Sequence, residues 1–299
     1  MNHPNQWRSP SNSAITTVDR VAKDIATAFD TEYRTGTWRS HRLTRETIEA
    51  SLAYALEVDK GGRLTGKEIQ YALRAIDAPD LNGKKVLDYC CGTGITAIYF
   101  ALCGAEVWAF DVSAEAIKIA KKSAEMSGVS HSVHFCVSDA QSLPYENDFF
   151  DVVFCLSALH IIIDYTKCPY ELARVLKPGG VAVFCEEGLG YNPLHNLVHW
   201  LKCLKWIRYE GRLLRYPGRL LRYPDIEQFG RPFSRTEIQH FNLLMQVKKA
   251  FRGQLVRYGC LLPWSKHLLR TLEKADSAIL AAFPSLEKYC GAVVVSFMK

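Results

Sequence analysis

Residues 86–94 read Val-Leu-Asp-Tyr-Cys-Cys-Gly-Thr-Gly, and this stretch decides the fold class. An apolar segment ends at Asp88, a loop with two glycines follows, and an apolar helical pattern begins at Ile95. Glycine lets a loop backbone approach a ligand closely, and open α/β sheets bind ligands outside the carboxyl ends of their strands. The loop lacks the GxGxxG spacing of dinucleotide-binding enzymes, because Cys90 takes the first glycine position and no third glycine follows.

Strand and helix patterns alternate beyond this loop. Near-continuous apolar strands separated by helices predict a parallel sheet that is covered on both faces. The first five predicted strands are 85–89, 106–110, 133–137, 150–156 and 181–186, and the predicted helices in this part are 95–102, 114–127 and 170–175. After the fifth strand we predict a helix near residues 235–244, a strand near 246–251, further helices up to Leu286 and a final strand at 291–298.

The regions that flank the alternation differ in pattern. Residues 1–17 are polar and predict a disordered tail, and residues 18–80 carry helical spacing that predicts an N-terminal helical extension, or cap. We assign residues 81–299 to the main domain, with residues 188–232 as an insertion that interrupts the alternation. This insertion contains a repeat, because residues 211–217 and 218–224 both read Gly-Arg-Leu-Leu-Arg-Tyr-Pro. The sequence does not assign a role to the repeat.

The net charge of +6 is concentrated in one segment. Residues 202–235 hold nine Lys or Arg and three Asp or Glu, so the rest of the chain is neutral overall. Interleaved aromatic residues leave three interpretations open: a lid over an acidic or apolar acceptor, an interfacial membrane element or a nucleic-acid patch. A solvated helical insertion is the fourth.

The remaining composition favours a cytoplasmic protein. The first residues lack the apolar core of a signal peptide, and the longest apolar stretch, residues 152–163, is too short to span a bilayer. The ten cysteines show no zinc spacing and are expected to be free thiols. His195 and His199 are four residues apart, but no third ligand accompanies them, so we predict no metal site.

Four further motifs follow the glycine loop in order. Asp111 ends the second predicted strand, where its carboxylate could accept hydrogen bonds from both hydroxyls of a ribose. Ser138-Asp139-Ala140 follows the third strand. Residues 150–160 read Phe-Asp-Val-Val-Phe-Cys-Leu-Ser-Ala-Leu-His, and residues 171–180 read Glu-Leu-Ala-Arg-Val-Leu-Lys-Pro-Gly-Gly.

Taken in this order, the motifs resemble those of the class I S-adenosylmethionine methyltransferases, especially the branch that acts on small molecules. The resemblance covers roughly residues 83–188 and, more loosely, the terminal strand. It implies an α/β fold with a Rossmann-like, mostly parallel seven-stranded sheet, helices on both faces and an antiparallel last strand. It also implies S-adenosylmethionine as cofactor and a small-molecule methyl acceptor. The family's usual glycine is replaced here by Cys90, which puts the strength of cofactor binding in question.

The resemblance also implies roles for individual residues. The Asp88 side chain and the backbone of Cys90 and Gly92 would hold the methionine end of the cofactor. The remaining cofactor-binding positions are Thr93 and Gly94 in the same loop, Asp111 on the ribose, Val112 packed on the adenine, Asp139 and the Ala140 amide on the adenine edge, and Leu156 near the sulfonium. Asp88 and Asp111 could instead cap loops, and Asp139 could simply start a turn.

Two residues are candidates for the chemistry itself. His160 lies where these enzymes carry a histidine after the fourth strand, and it could act as general base on the acceptor. Glu186 ends the fifth strand and could orient the acceptor. A structural histidine and a solvated strand end are the alternatives.

Two other functions stay open. The basic insertion would suit an RNA methyltransferase, although the Asn/Asp-Pro-Pro-aromatic signature is absent after the fourth strand, so a nucleic-acid partner is not favoured. The domain could also be a non-catalytic binding protein. Residues 202–235 could contact an anionic substrate or a membrane surface, and the sequence does not indicate the oligomeric state.

Overall fold

A seven-stranded sheet forms the centre of the molecule, with the strand order β3-β2-β1-β4-β5-β9-β6. The computed structural model describes residues 17–36, 38–53, 67–187, 189, 191–193, 220–244, 256–257, 260–261 and 263–299. The strands are β1 Lys85–Tyr89, β2 Glu106–Asp111, β3 Val133–Val137, β4 Phe150–Leu156, β5 Leu176–Glu187, β6 Arg235–Phe241, β7 Val256–Arg257, β8 Cys260–Leu261 and β9 Ala292–Met298. Strands β7 and β8 form a separate short hairpin.

The pairing of the strands confirms the predicted sheet. Strands β1 to β5 pair in parallel. The last strand, β9, is antiparallel to both of its neighbours, β5 and β6. The sheet is therefore mostly parallel with an antiparallel last strand.

Helices cover both faces of the sheet. Leu87 and Tyr89 belong to a core cluster on one face with residues of the helices Cys168–Val175 and Tyr223–Gly230, while Val86 packs on the other face with residues of the helices Lys67–Ala75 and Ile95–Leu102. Burial on both faces explains why the central strands are almost continuously apolar. The helices are α1 Thr17–Thr35, α2 Arg45–Ala53, α3 Lys67–Ala75, α4 Ile95–Leu102, α5 Ala114–Ser127, α6 Leu159–Ile162, α7 Cys168–Val175, α8 Tyr223–Gly230 and α9 Pro263–Ala282, followed by a 3₁₀ helix at Pro284–Tyr289.

The register of the central strands brings the predicted motifs together. Tyr89 of β1 lies opposite Phe110 of β2 and Cys155 of β4. The residues that follow them, Cys90, Asp111 and Leu156, therefore reach the same carboxyl edge of the sheet. The strand order reverses between β1 and β4, which is where open α/β sheets bind ligands.

The predicted helix near residues 235–244 is wrong, because Arg235–Phe241 forms the edge strand β6. Its apolar residues Ile238 and Phe241 are three apart, a spacing that also fits a helix. The segment is a strand because its main chain pairs with β9 over its whole length, from Arg235 opposite Met298 to Phe241 opposite Ala292. The predicted strand near residues 246–251 lies outside the described residues.

The two ends of the 188–232 insertion lie next to each other. Leu189 and Leu221 form a parallel β-bridge, and both are fully buried. The end of this insertion also forms α8, whose Ile226 and Phe229 are buried in the core. The repeat is described only from Leu220 onward, and the predicted tail only at Thr17, so both otherwise lie outside the described residues, as do His195 and His199.

Two absences concern the described part of the chain alone. None of its helices is long and apolar enough to cross a membrane. Within the same residues, no group of three or more His, Cys, Asp or Glu side chains is placed to hold a metal ion.

Candidate active site

A cavity opens at the carboxyl edge of the sheet, above the ends of β1, β2 and β4. Its volume of about 680 Å³ includes the open space at its mouth. Its wall contains seven of the residues proposed from the sequence for cofactor binding, namely Cys90, Gly92, Asp111, Val112, Asp139, Ala140 and Leu156.

The loop after β1 takes a left-handed backbone conformation at three positions. The φ angles are 60° at Cys90, 53° at Gly92 and 77° at Gly94. Glycine adopts such angles freely, whereas an ordinary residue loses about 1–2 kcal/mol there. Cys90 adopts this unfavourable conformation at the position where the resemblance predicts a glycine. Its burial raises the pKa of its thiol well above the usual value, so the thiol stays protonated.

Asp111 ties this loop to the end of β2. One carboxylate oxygen, Oδ2, accepts a hydrogen bond from the backbone N–H of Gly92 at 2.8 Å, and Oδ1 accepts one from the N–H of Ser113 at 2.9 Å. A carboxylate can accept about four hydrogen bonds. Asp111 can therefore bind a pair of ligand hydroxyls while it also holds the loop. The side chain is buried at the cavity wall.

Asp88 does not line the cavity. It is almost fully buried beneath the loop, where its Oδ2 accepts a hydrogen bond from Thr96 Oγ1 at 2.6 Å in the first turn of α4. Burial raises the pKa of Asp88 to about 7, against the hydrogen bonds from Thr96 and from the Ala97 N–H, which favour the charged form. The carboxyl group therefore holds the start of α4, and the loop above it, in place.

The far side of the cavity is formed by the segment after β3. Asp139 lines the wall, and its Oδ1 accepts a hydrogen bond from the N–H of Gln141 at 2.7 Å, which closes a tight turn. The Ala140 carbonyl accepts a hydrogen bond from the Tyr89 hydroxyl at 2.6 Å and one from the Cys168 thiol. This turn is therefore anchored from both β1 and α7.

His160 and Glu186 form a buried pair beside the cavity. His160 Nδ1 lies 3.0 Å from Glu186 Oε1, and the backbone N–H of His160 donates to Glu186 Oε2 at 3.3 Å. Only 11% of the His160 side chain and 2% of the Glu186 side chain are exposed. Ser157, Ala158 and Ile161 contribute to the cavity wall next to them, but His160 does not.

Comparison with known proteins identifies the domain. A family described as "Methyltransferase domain" matches residues 87–184. Residues 87–184 therefore form a methyltransferase domain of the class I, S-adenosylmethionine-dependent type. Its matched residues run from the middle of β1 to the middle of β5, so they include the loop, Asp111 and the turn at Asp139.

Several curated relatives of this methyltransferase domain are named for a small-molecule acceptor. The phthiotriol/phenolphthiotriol dimycocerosates methyltransferase of Mycobacterium leprae is 29% identical over 56% of this chain and 66% of its own. The demethylmenaquinone methyltransferase of Clavibacter sepedonicus is 36% identical over 38% of this chain and 44% of its own. The methyltransferase GfsG of Streptomyces halstedii is 29% identical over 57% and 60%. The chain thus spans 44–66% of the length of these relatives.

Solved structures show the same fold over more of the chain. Phosphoethanolamine N-methyltransferase 2 of Haemonchus contortus, solved with S-adenosylmethionine, has a TM-score of 0.55 at 17% identity and covers 91% of this chain and 60% of that one. The [4+2]-cyclase SpnF has a TM-score of 0.52 at 19% identity and covers 98% and 99%. At such identities the likeness establishes the methyltransferase fold but not the reaction.

The structure places the proposed cofactor residues in two groups. The seven wall residues surround the cavity, whereas Asp88, Thr93 and Gly94 lie outside its wall. The cofactor contacts of all ten residues stay predictions. For a methyltransferase of this family, the expected ligand of the cavity is S-adenosylmethionine.

Six wall residues lie outside all of the motifs on which the sequence prediction rested. Ile25, Phe29 and Tyr33 come from α1, and Ile161, Ile162 and Tyr165 come from α6 and the turn after it. The helical spacing of Ile25 and Phe29 is visible in the sequence, but spacing alone does not show which surface a helix covers.

Gly94 is expected to be essential for the packing of the loop. A Cβ at this position would lie 2.8 Å from Ala120 Cβ and 2.9 Å from the Phe135 ring, in addition to requiring a left-handed φ. The overpacking alone typically costs about 1–3 kcal/mol. We therefore expect Gly94→Ala to lower the free energy of unfolding by about 2–5 kcal/mol in urea denaturation.

Gly128→Ala provides the matched control for this prediction. Gly128 has nearly the same φ, +76°, but nothing lies within 4 Å of the point where a Cβ would stand. It should lose only the left-handed contribution of about 1–2 kcal/mol. Equal losses for the two variants would contradict the close approach of the loop to α5.

Proposed function

We propose that this protein transfers a methyl group from S-adenosylmethionine to an apolar small molecule, such as a lipid-like quinone, a phenol or another secondary metabolite. The observation that carries the proposal is the cavity at the carboxyl edge, where Asp111 and the Cys90–Gly92 loop meet Leu156. Two relatives support the acceptor class by name, one acting on phthiotriol lipids and one on demethylmenaquinone.

The cavity wall suits methyl transfer because it is largely apolar on one side. When bound, S-adenosylmethionine supplies a methyl group on a sulfonium, which is already a reactive electrophile. The protein has to align the acceptor with that methyl group and exclude water from it. Leu156, Ile161 and Ile162 can exclude water, because their side chains form no hydrogen bonds with it.

The His160–Glu186 pair provides a base for an acceptor whose nucleophile must lose a proton. Glu186 Oε1 lies 3.0 Å from the ring nitrogen Nδ1, and Oε2 accepts a hydrogen bond from the His160 backbone N–H, so the carboxylate faces the Nδ1 side of the ring. If Nδ1–H donates to the carboxylate, Nε2 is the nitrogen that can accept a proton. In this proposal the acceptor extends from the cavity past Ala158 and Ile161 to His160, which takes its proton as the bond to the methyl group forms, and Glu186 is a positioning residue.

The 188–232 insertion completes the acceptor side in our proposal. It leaves the sheet directly after Glu187, at the edge where the cavity opens, and returns to the same place through the bridge between Leu189 and Leu221. A cover over the acceptor fits this path. Its positive charge would suit an anionic group on the acceptor or an anionic membrane that holds the acceptor.

A transfer assay tests the proposed function. The full chain is incubated with methyl-labelled cofactor and, in separate reactions, with hydroxyquinones of different tail lengths, with total RNA or with no acceptor. We expect label in the organic extract of the quinone reactions only. Label in RNA alone would support an RNA methyltransferase, and no transfer from a chain that binds cofactor would support a non-catalytic role.

A further inference from the structure

Helix α1 forms a wall of the cavity although it precedes the methyltransferase motifs by more than fifty residues. Ile25, Phe29 and Tyr33 recur every four residues, lie on one face of the helix and all line the cavity. The Tyr33 hydroxyl lies 3.1 Å from the point where a Cβ would stand at Gly92, so the phenol rests on the glycine loop. A ligand that fills the cavity therefore touches both the loop and α1.

The same helix is fastened to the start of α5 through Asp30. Its Oδ1 accepts hydrogen bonds from Ser113 Oγ at 2.5 Å and from the N–H of Glu115 at 3.1 Å. Ser113 is the N-cap of α5, and its own N–H donates to Asp111. Asp30 is thus linked through one residue to Asp111, the carboxylate proposed to bind the ribose.

A second attachment holds the segment after α1 along α5. Ser40 Oγ donates to the Ile119 carbonyl at 3.2 Å, while the N–H groups of His41 and Leu43 donate to hydroxyls of α5 at 3.3 and 2.9 Å. These bonds do not involve the cavity wall. Release of the Asp30 contacts would therefore free the wall-forming part of α1 while residues 40–43 stay bound to α5.

We propose that α1 is a closing element of the cofactor site, with Asp30 as the latch that positions Phe29 and Tyr33 over the bound cofactor. This inference rests on the proposed binding of S-adenosylmethionine in the cavity. The latch acts on the ribose side, because Ser113 and Glu115 follow directly after Asp111 and Val112. Its main effect is on cofactor release, since bound cofactor has to part from the α1 wall before it leaves.

The test measures the dissociation rate of S-adenosylhomocysteine from the full chain by stopped flow. Asp30→Ala should speed dissociation about tenfold or more, as expected when hydrogen bonds to a charged group are lost. Asp30→Asn should have a smaller effect, because its amide oxygen can still accept from Ser113 and Glu115. Trp38 packs on Tyr33 with ring centroids 5.4 Å apart, so its fluorescence should report the movement, and Trp38→Phe should remove that signal.

Arg34→Ala is the matched control on the same helix. Arg34 lies 3.7 Å from Glu115 in an exposed pair, and such pairs contribute little. Its dissociation rate should stay within about twofold of the parent. A dissociation rate for Asp30→Ala that is equally unchanged would overturn the latch.

Phe29→Ala keeps the inference testable if Asp30→Ala does not fold. It leaves the latch in place, removes part of the α1 wall and should also speed dissociation, whereas an unchanged rate would show that α1 does not contact the cofactor. The parent chain separates this inference from the proposed function. If the parent does not bind S-adenosylhomocysteine, the proposed function fails, whereas a parent that binds with unchanged variants contradicts only the role of α1.

Discussion

Asp111→Ala should weaken the binding of S-adenosylhomocysteine by about 1.5–3 kcal/mol, or roughly 10- to 150-fold. The substitution removes a buried carboxylate from the cavity wall, and with it the acceptor of the Gly92 and Ser113 N–H groups. The ligand would lose its ribose contact and the loop would lose its tie to β2. Calorimetric titration of the full chain measures the change.

Asp80→Ala is the control for this substitution. Asp80 is an exposed carboxylate in the turn before β1 and is not part of the cavity wall. Its replacement should leave the affinity within about twofold of the parent. If Asp111→Ala binds as tightly as Asp80→Ala, then Asp111 is not a ligand of the cofactor and the cavity has been assigned to the wrong molecule.

His160→Gln should slow methyl transfer by about 10²- to 10⁴-fold, the usual effect of losing a general base. The glutamine amide can still donate a hydrogen bond to Glu186, so the buried carboxylate keeps a partner, but the amide cannot take a proton. Affinity for S-adenosylhomocysteine should barely change, because His160 does not line the cavity.

His134→Gln is the matched histidine control. His134 lies 3.4 Å from Glu106, so it resembles His160 in having a glutamate neighbour, but its side chain is 41% exposed and is remote from the cavity wall. Its rate should equal that of the parent. If His160→Gln is equally fast in a folded chain, the pair with Glu186 is structural and serves to hold α6.

The parts of the fold that depend on local signals were predictable from the sequence. Ser113 and Gly128 are residue types that favour the start and the end of a helix. The structure shows both as caps of α5, with the Ser113 side chain accepting a hydrogen bond from the Ala116 N–H and Gly128 at a φ of 76°. The strands of the methyltransferase domain were found because burial on both faces makes them continuously apolar. The seven-stranded sheet with its antiparallel last strand followed from the resemblance to the family, because strand patterns alone do not fix which strands become neighbours.

What the sequence did not reveal depends on contacts between distant residues. The bond from Ser113 to Asp30 joins positions 83 residues apart, and no spacing in α1 points to it. The edge strand β6 was mistaken for a helix because only its pairing with β9 distinguishes the two. Asp88 has the residue type and position of a ligand, yet its contact with Thr96 can be seen only once α4 is packed against β1.

The most direct test of the central claim is a calorimetric titration of the full chain with S-adenosylhomocysteine. A cavity built from the glycine loop, Asp111 and the turn at Asp139 should give saturable binding of one molecule per chain, with the affinity reduced in Asp111→Ala. The absence of binding at millimolar concentration by a folded parent chain would contradict the assignment of this cavity to the cofactor.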